Sequence, residues 1–382
     1  MQQDKLTENN YFNLGCTIRA CTPEITFEKI APIMKKIGIS RVANVTGLDN
    51  IGIPVAICIR PNSKHLSVSQ GKGISWQLAQ ISSIMESIEG YHSENPTHPE
   101  LIGIYTQLQN HLDLLDPYEV CKGFFEYDVR NLELGWVKGT DLITRRVVYV
   151  PHGAICLDSS KLHIESTIFN PSSNGLASGN TIIEALLHGL YEIIERDALS
   201  NWKRFSKNDK YVTQIELCSI QSDINRELID KFLKAGQKIR IWDITSAINV
   251  PAYYCTITDS DNIKSLGTFY GSGAHLYKEI ALSRALLEAA QSRLTFITGT
   301  RDEIFPMYYK NKSVSQPEGE HNGNLSFYSN QEFLNLSFTE DLNEVISRLL
   351  SKKKSKIVFV NHTKEDLNIP VVHIFVSGMN SD

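Results

Sequence analysis

The stretch Asn174-Gly-Leu-Ala-Ser-Gly-Asn180, continued by Thr181-Ile-Ile-Glu-Ala-Leu-Leu-His-Gly-Leu-Tyr-Glu-Ile-Ile-Glu-Arg-Asp197, joins a glycine-bearing loop to a helix. At about 100° per residue, Glu184, His188, Glu192 and Glu195 fall within an arc of about 80°, while Leu186, Leu187, Leu190, Ile193 and Ile194 occupy the other side. One face suits a core and the other is acidic. A solvated face intersperses Lys among Glu for small i, i+4 attractions, yet no base occurs here before Arg196. Carboxylates crowded in this way call for cations.

A second segment repeats the pattern: Ser82, Glu86, Glu89 and Ser93 share one stripe, and Ile81, Ile84, Met85 and Ile88 share the other. A third puts Arg284, Glu288, Gln291 and Ser292 on one face, with Leu287, Ala290 and Leu294 mostly opposite. Glutamate oxygens are hard ligands suited to Mg2+, an ion usually held by a few carboxylates together with nucleotide phosphates. Two stretches are candidates to meet those phosphates with backbone N–H groups: Ser69-Gln70-Gly71-Lys72-Gly73, and Gly175 to Asn180 at a helix N-terminus. Neither is a P-loop, and the chain has no dinucleotide-binding G-x-G-x-x-G after a strand and no kinase-type catalytic loop.

These residues resemble the YcaO family, whose members bind ATP and Mg2+ with glutamate-rich helices. The resemblance rests on Ser69-Gln-Gly-Lys-Gly73, Ser82-x-x-x-Glu86-x-x-Glu89, Ser173 to Asn180 with Glu184, Glu192-x-x-Glu195-Arg196-Asp197, and Glu288-x-x-Gln291-Ser-Arg293. It extends upstream through Arg41 to Asp49 and Gly52 to Val55, and downstream to about Gly378. It implies a mixed α/β (α+β) YcaO fold, with residues 1–65 integral to it and 66–382 as the catalytic, ATP-binding domain. The implied reaction transfers the γ-phosphate of ATP to a backbone amide oxygen, making it a leaving group. Positioning and charge neutralisation supply most of such catalysis. By the same resemblance Glu86, Glu89, Glu192 and Glu195 hold Mg2+, and Lys72, Ser82, Asn180, Glu184, Arg196, Gln291 and Arg293 face the nucleotide. Glu192, Glu195 and Arg196 are the catalytic candidates. Arg293 points about 160° from Gln291 on a regular helix.

Each residue also has a plainer reading. Thr181-x-x-Glu184 is a capping box, so Glu184 closes a helix or contacts a ligand with equal weight. Glu86 and Glu89, taken alone, are more often solvated, as are Lys72, Ser82, Ser93, Gln291 and Arg284. Arg196 pairs with Glu192 at i, i+4 as readily as with a phosphate. His188 is either a proton carrier or, more commonly, a structural histidine held by a neighbouring Glu. The joint occurrence lifts the functional reading.

The 382 residues, 42% hydrophobic, bury a substantial core as one large domain or two intimate ones, and a net charge of −5 argues against a nucleic-acid footprint. Lys352-Lys-Lys354 reads as a solvated loop. Met1 to Asn10 is polar and no run approaches a bilayer-spanning length, so a cytoplasmic enzyme is expected. The seven cysteines are scattered without a C-x-x-C pair, which fits reduced thiols, and Cys16 and Cys21 read as structural. Strand-like runs occur at Val55–Ile59, Val147–Val150, Lys238–Trp242, Tyr253–Ile257 and Ile357–Val360. Tyr309 to Asn324 reads as a surface loop, and no internal repeat is visible.

The family's azoline-forming members commonly end in Pro-x-Pro-x-Pro, whereas this sequence reads Val376-Ser-Gly-Met-Asn-Ser-Asp382. The Gly15-x-x-x-Arg19 to Asp49 region is similar to members that work beside a TfuA-type partner and install thioamides from an external sulfur donor. The expectation is therefore thioamidation of a ribosomally synthesised peptide or protein, with azoline-forming cyclodehydratase as runner-up. A TfuA-like or E1-like partner protein and a homodimer are the compatible assemblies. An accessory factor for methylthiolation of a ribosomal protein, and a carboxylate-based metallohydrolase that needs no nucleotide, are the readings from other classes.

Overall fold

The computed structural model describes residues 11–121, 127–160, 164–169, 172–205, 210, 212–261, 265–300, 323–327, 337–354 and 356–379. Residues 309–322 of the expected surface loop lie outside this set. Two short strands, β1 (Phe12–Asn13) and β2 (Ile18–Arg19), lead into helix α1 (Pro23–Lys36). An antiparallel sheet follows, of β3 (Arg41–Asn44), β4 (Val55–Ile59) and β5 (Val68–Lys72), and then α2 (Trp76–Glu94), capped by the Ser75 side chain accepting from the Leu78 N–H. β3 and β4 precede residue 65 and β5 follows it, so the sheet spans that position.

The central six-stranded sheet runs β6 (Leu101–Ile104), β7 (Glu133–Asp141), β13 (Ile357–Asn361), β14 (Val371–Val376), β9 (Leu176–Ser178), with β8 (Val147–Pro151) also on β7. Helix α3 (Ile182–Lys203) lies against it. Its Leu186, Leu187, Leu190, Ile193 and Ile194 are all buried, in one core with Val372 and Ile374 of β14 and Leu342, Val345 and Leu349 of a late helix (Phe338–Ser351). The opposite, acidic face is what remains for a site.

A second sheet of β10 (Gln237–Asp243), β11 (Ala252–Asp259) and β12 (Thr268–Ala274) is preceded by α4 (Asp223–Lys234) and followed by α5 (Lys278–Thr298). The order helix, three antiparallel strands, helix thus occurs twice, α1 to α2 and α4 to α5. This structural repeat corrects the expectation of none. Its sequence trace is a pair of glycines two residues apart. A Cβ on Gly71 would lie 2.1 Å from the Ser83 nitrogen and 2.2 Å from the Ala79 oxygen of α2, and one on Gly271 would lie 2.3 Å from the Ala289 nitrogen of α5. In both copies the glycines let a helix backbone rest directly on the last strand.

Those contacts also correct the reading of Ser69 to Gly73 as a phosphate-cradling loop. The segment is strand, the Gln70 N–H donates to Glu86 Oε2 at 3.1 Å, and the Gly73 N–H donates to the Pro54 carbonyl at 3.3 Å. The second stretch is corrected likewise. Leu176–Ser178 pairs with β14, and Gly175 is suited to its place twice over, by its φ of +80 and because a Cβ there would sit 2.4 Å from the Ile374 oxygen.

Candidate active site

The three helix faces picked out by periodicity meet on one cavity of about 530 Å³. α2 contributes Ser82, Glu86 and Glu89, α3 contributes Glu184, His188, Glu192, Glu195 and Arg196, and α5 contributes Arg284, Glu288 and Gln291. Lys72 and Asn180 also line it, so of the residues expected at the site only Arg293 is elsewhere. The Arg293 guanidinium pairs with Asp259 at 3.0 Å and lies 3.7 Å from Asp49, its side chain 8% exposed. The helical offset from Gln291 turns it into the α5–β11 packing, where it ties Asp49 to the sheet. Ser93, which shares the α2 stripe but has no expected site role, is fully buried and donates to the Ile155 carbonyl at 2.8 Å.

Glu89 accepts from both the N–H and the hydroxyl of Ser178, at 2.8 and 2.6 Å, which anchors α2 to β9. Glu195 accepts from the Ser272 hydroxyl of β12 at 2.6 Å. Glu192 lies 3.7 Å from Arg196, and Lys72 bridges to Glu288 at 2.7 Å. Glu184 does more than cap: Thr181 Oγ1 accepts its N–H at 3.2 Å, while its carboxylate accepts from the N–H groups of Asn180 and Ala20 and pairs with Arg19 at 3.0 Å. The N–H groups of Asn180 and Glu184 are thus already engaged within the chain.

Enclosure sets the electrostatics. Burial pushes the Glu89 carboxyl up to about 8, the Ser178 bonds pull it back, and Glu86 and Glu192 push it up again. Burial likewise raises Glu192 to about 7, against the pull of Arg196 and with the push of Glu195. Glu195 is raised by burial and then by Glu288, whereas Glu288 is held low because Lys72 and Arg196 outweigh its burial. Burial, then Arg284 and Arg19, keeps His188 neutral far below the usual histidine range. Among the described residues no three acidic, histidine or cysteine groups close tightly enough to hold an ion unaided. Mutually repelling carboxylates facing an open cavity are nevertheless suited to a hard divalent ion that takes its remaining ligands from phosphate or water.

Sequence reasoning missed Arg19, Thr26 and Thr295 on the cavity wall, and placed Arg284 on the polar face of the third helix without giving it a site role. Arg284 shares the α5 stripe with Glu288 and Gln291, which was the available signal. Arg19 and Thr26 come from the N-terminal segment, where no periodicity marks them. Cys16 and Cys21 also reach the wall, and all seven cysteines are free.

Carboxylates for a divalent ion and cations for a phosphate chain, brought together without a P-loop in a mixed α/β fold, define the class of protein. Residues 70–380 match the family described as YcaO cyclodehydratase, ATP- and Mg2+-binding. An uncharacterized protein in the tfuA 3' region of Rhizobium leguminosarum bv. trifolii is 32% identical over 376 residues, which is 95% of this chain and 89% of that protein. The chain belongs to the YcaO family, whose cofactors are ATP and Mg2+. In fold it is similar to YcaO from Methanopyrus kandleri bound with AMPPCP and Mg2+, with a TM-score of 0.73 at 23% identity, over 96% of this chain and 94% of that one. It is also similar to a heterocyclase in complex with substrate and cofactor, with a TM-score of 0.78 at 19% identity, over 95% of this chain and 53% of that one. No helix among the described residues is long and apolar enough to cross a membrane.

Proposed function

We propose that this chain activates a backbone amide of a peptide or protein by ATP- and Mg2+-dependent O-phosphorylation, and that a thioamide is the product. One observation carries the reading: Glu86, Glu89, Glu192 and Glu195 converge from two helices on a cavity that also holds Lys72, Arg196 and Arg284. When bound, ATP and Mg2+ supply the phosphoryl group and charge neutralisation that turn an amide oxygen into a leaving group. The four glutamates are the Mg2+ ligands in this reading. Lys72, Ser82, Asn180, Glu184, Arg196 and Gln291 face the nucleotide, and the structure adds Arg19 and Arg284 as cations on the same wall. Ser178 and Ser272 orient Glu89 and Glu195, leaving each a second oxygen for metal. Residues 1–65 belong to the same catalytic unit, since Arg19 and Thr26 line the cavity and β3 and β4 share a sheet with β5.

Thioamidation with a TfuA-like partner is favoured by the relative in the tfuA 3' region. Azoline formation, with an E1-like partner, is the second reading, favoured by the family's description as cyclodehydratases. The test is mass spectrometry of peptides encoded beside the gene, co-expressed with this chain and its neighbours, wild type against Glu195→Ala. A gain of about 16 Da replaces oxygen by sulfur, and a loss of about 18 Da closes an azoline from the same activated amide. Nucleotide binding without turnover in the presence of every partner would instead indicate an accessory role.

A further inference from the structure

Gln70 has no role in the arrangement described so far, although its side chain lines the cavity and is 3% exposed. Its backbone N–H serves Glu86, and its carboxamide reaches across to the Thr295 hydroxyl of α5. That hydroxyl also lies 2.8 Å from the Gln291 backbone carbonyl, which can only accept. A threonine hydroxyl has one proton. Once it is donated to that carbonyl, Thr295 must accept from its other neighbour, so the Gln70 NH2 turns to Thr295 and the Gln70 carbonyl oxygen takes the outer position. In either orientation one polar head of Gln70 is buried without a partner, and the side-chain oxygen of Gln291, also on the cavity wall, is buried without one as well. Buried polar atoms of this kind are normally satisfied, and both side chains belong to residues that line the same cavity.

We infer that Gln70, together with Gln291, forms an uncharged carboxamide subsite that takes the N–H of a neutral planar edge, either an adenine ring or a peptide amide. A carboxamide offers no net charge, so it suits neither the phosphate chain nor the ion, which the glutamates and cations nearby already address. The adenine source needs only nucleotide binding; the peptide source rests on the function proposed above.

The Gln70 side-chain NH2 resonance of the full-length, 15N-labelled protein is the readout, assigned by its loss in Gln70→Met and, independently, in Gln70→Asn. Three probes are titrated: AMPPCP with Mg2+, tripolyphosphate with Mg2+, and the neutral diamide N-acetylglycine N-methylamide. A shift with AMPPCP but not with tripolyphosphate assigns the subsite to adenine, and Gln70→Met then weakens AMPPCP roughly tenfold. A saturable shift with the diamide assigns it to a peptide amide, with AMPPCP affinity in Gln70→Met within twofold of wild type. No shift with AMPPCP beyond that of tripolyphosphate, together with none from the diamide, overturns the inference. Calorimetry on the same samples separates the two readings. If AMPPCP does not bind at all, the proposed function falls, and the diamide titration still decides the subsite.

Discussion

His373 of β14 is 1% exposed, its Nε2 lies 3.1 Å from the Asn174 carbonyl, and its Nδ1 is buried without a partner. A carbonyl only accepts, so Nε2 carries the proton and the ring is neutral. Burial, countered in part by the Asn174 bond, holds its pKa at about 4 against an ordinary 6.5. The unfolded chain therefore binds the proton first as pH falls. Stability from this group is full above about 6.5 and is lost as pH drops toward 4. At 1.36 kcal/mol per pH unit the loss is about 2 kcal/mol by pH 5 and about 3 kcal/mol below pH 4. Glu89 and Glu192, raised to about 8 and about 7, work the other way, gaining stability as pH falls toward 4.5, so the wild-type curve alone hides the effect. The informative quantity is the difference from His373→Gln, which keeps an N–H donor for Asn174 and cannot titrate. Urea unfolding of both proteins from pH 7.5 to 5 should show the variant's deficit shrinking by about 2 kcal/mol between pH 7 and 5. Parallel curves would refute the reasoning, because they would mean that His373 titrates alike in the folded and unfolded states.

Four further outcomes are expected. Arg293→Ala should cost about 3–5 kcal/mol by leaving Asp49 and Asp259 unpaired, with AMPPCP affinity in calorimetry unchanged in whatever protein remains folded. Gly71→Ala should cost about 3 kcal/mol or more in denaturant unfolding, since the added methyl meets the α2 backbone rather than a yielding side chain. Glu192→Gln should raise the melting temperature of the ligand-free protein at pH 8 while abolishing Mg2+-dependent nucleotide binding; a lowered melting temperature would contradict the electrostatic account. Mg2+ with AMPPCP should raise the melting temperature more at pH 8 than at pH 6, because Glu89 and Glu192 are protonated at the lower pH and must release protons to bind a cation.

Much of the site was legible because helices write their faces into sequence at a fixed period. Glu86 and Glu89 on α2, Glu184 to Glu195 on α3 and Gln291 on α5 each share a stripe opposite a buried apolar one, and all reach the same cavity. The period also warned of the Arg293 error, since a residue two along a helix from Gln291 cannot share its direction. What periodicity cannot carry is function placed on short or irregular segments. Arg19 ends a two-residue strand and Thr26 stands in the second turn of α1, so only tertiary packing reveals them. Glycine proved ambiguous for a physical reason: the same missing Cβ serves phosphate approach and close backbone packing, and Gly71 and Gly271 serve helix-on-strand contact while Gly175 takes a positive φ against β14. The structural repeat was invisible because its packing demands only those small residues, leaving the rest of each copy free to differ.

The repeat bears on how the site is stabilised. α2 rests on β5 and α5 on β12, each held by glycine contacts and apolar cores, and α3 is anchored to the central sheet by an apolar face. Three helices thus hold Glu86, Glu89, Glu192, Glu195 and Glu288 around one cavity, where burial raises Glu89, Glu192 and Glu195, and Glu288 is bridged by Lys72. A soft scaffold would relieve such crowding by splaying the helices apart. Here the backbone contacts at Gly71 and Gly271 leave no room for α2 or α5 to slide, so the repulsion persists until a cation or protons neutralise it. The stability lost to crowded carboxylates is then recovered on ligand binding, which makes affinity for Mg2+ and rigidity of the strand–helix repeats two expressions of one design.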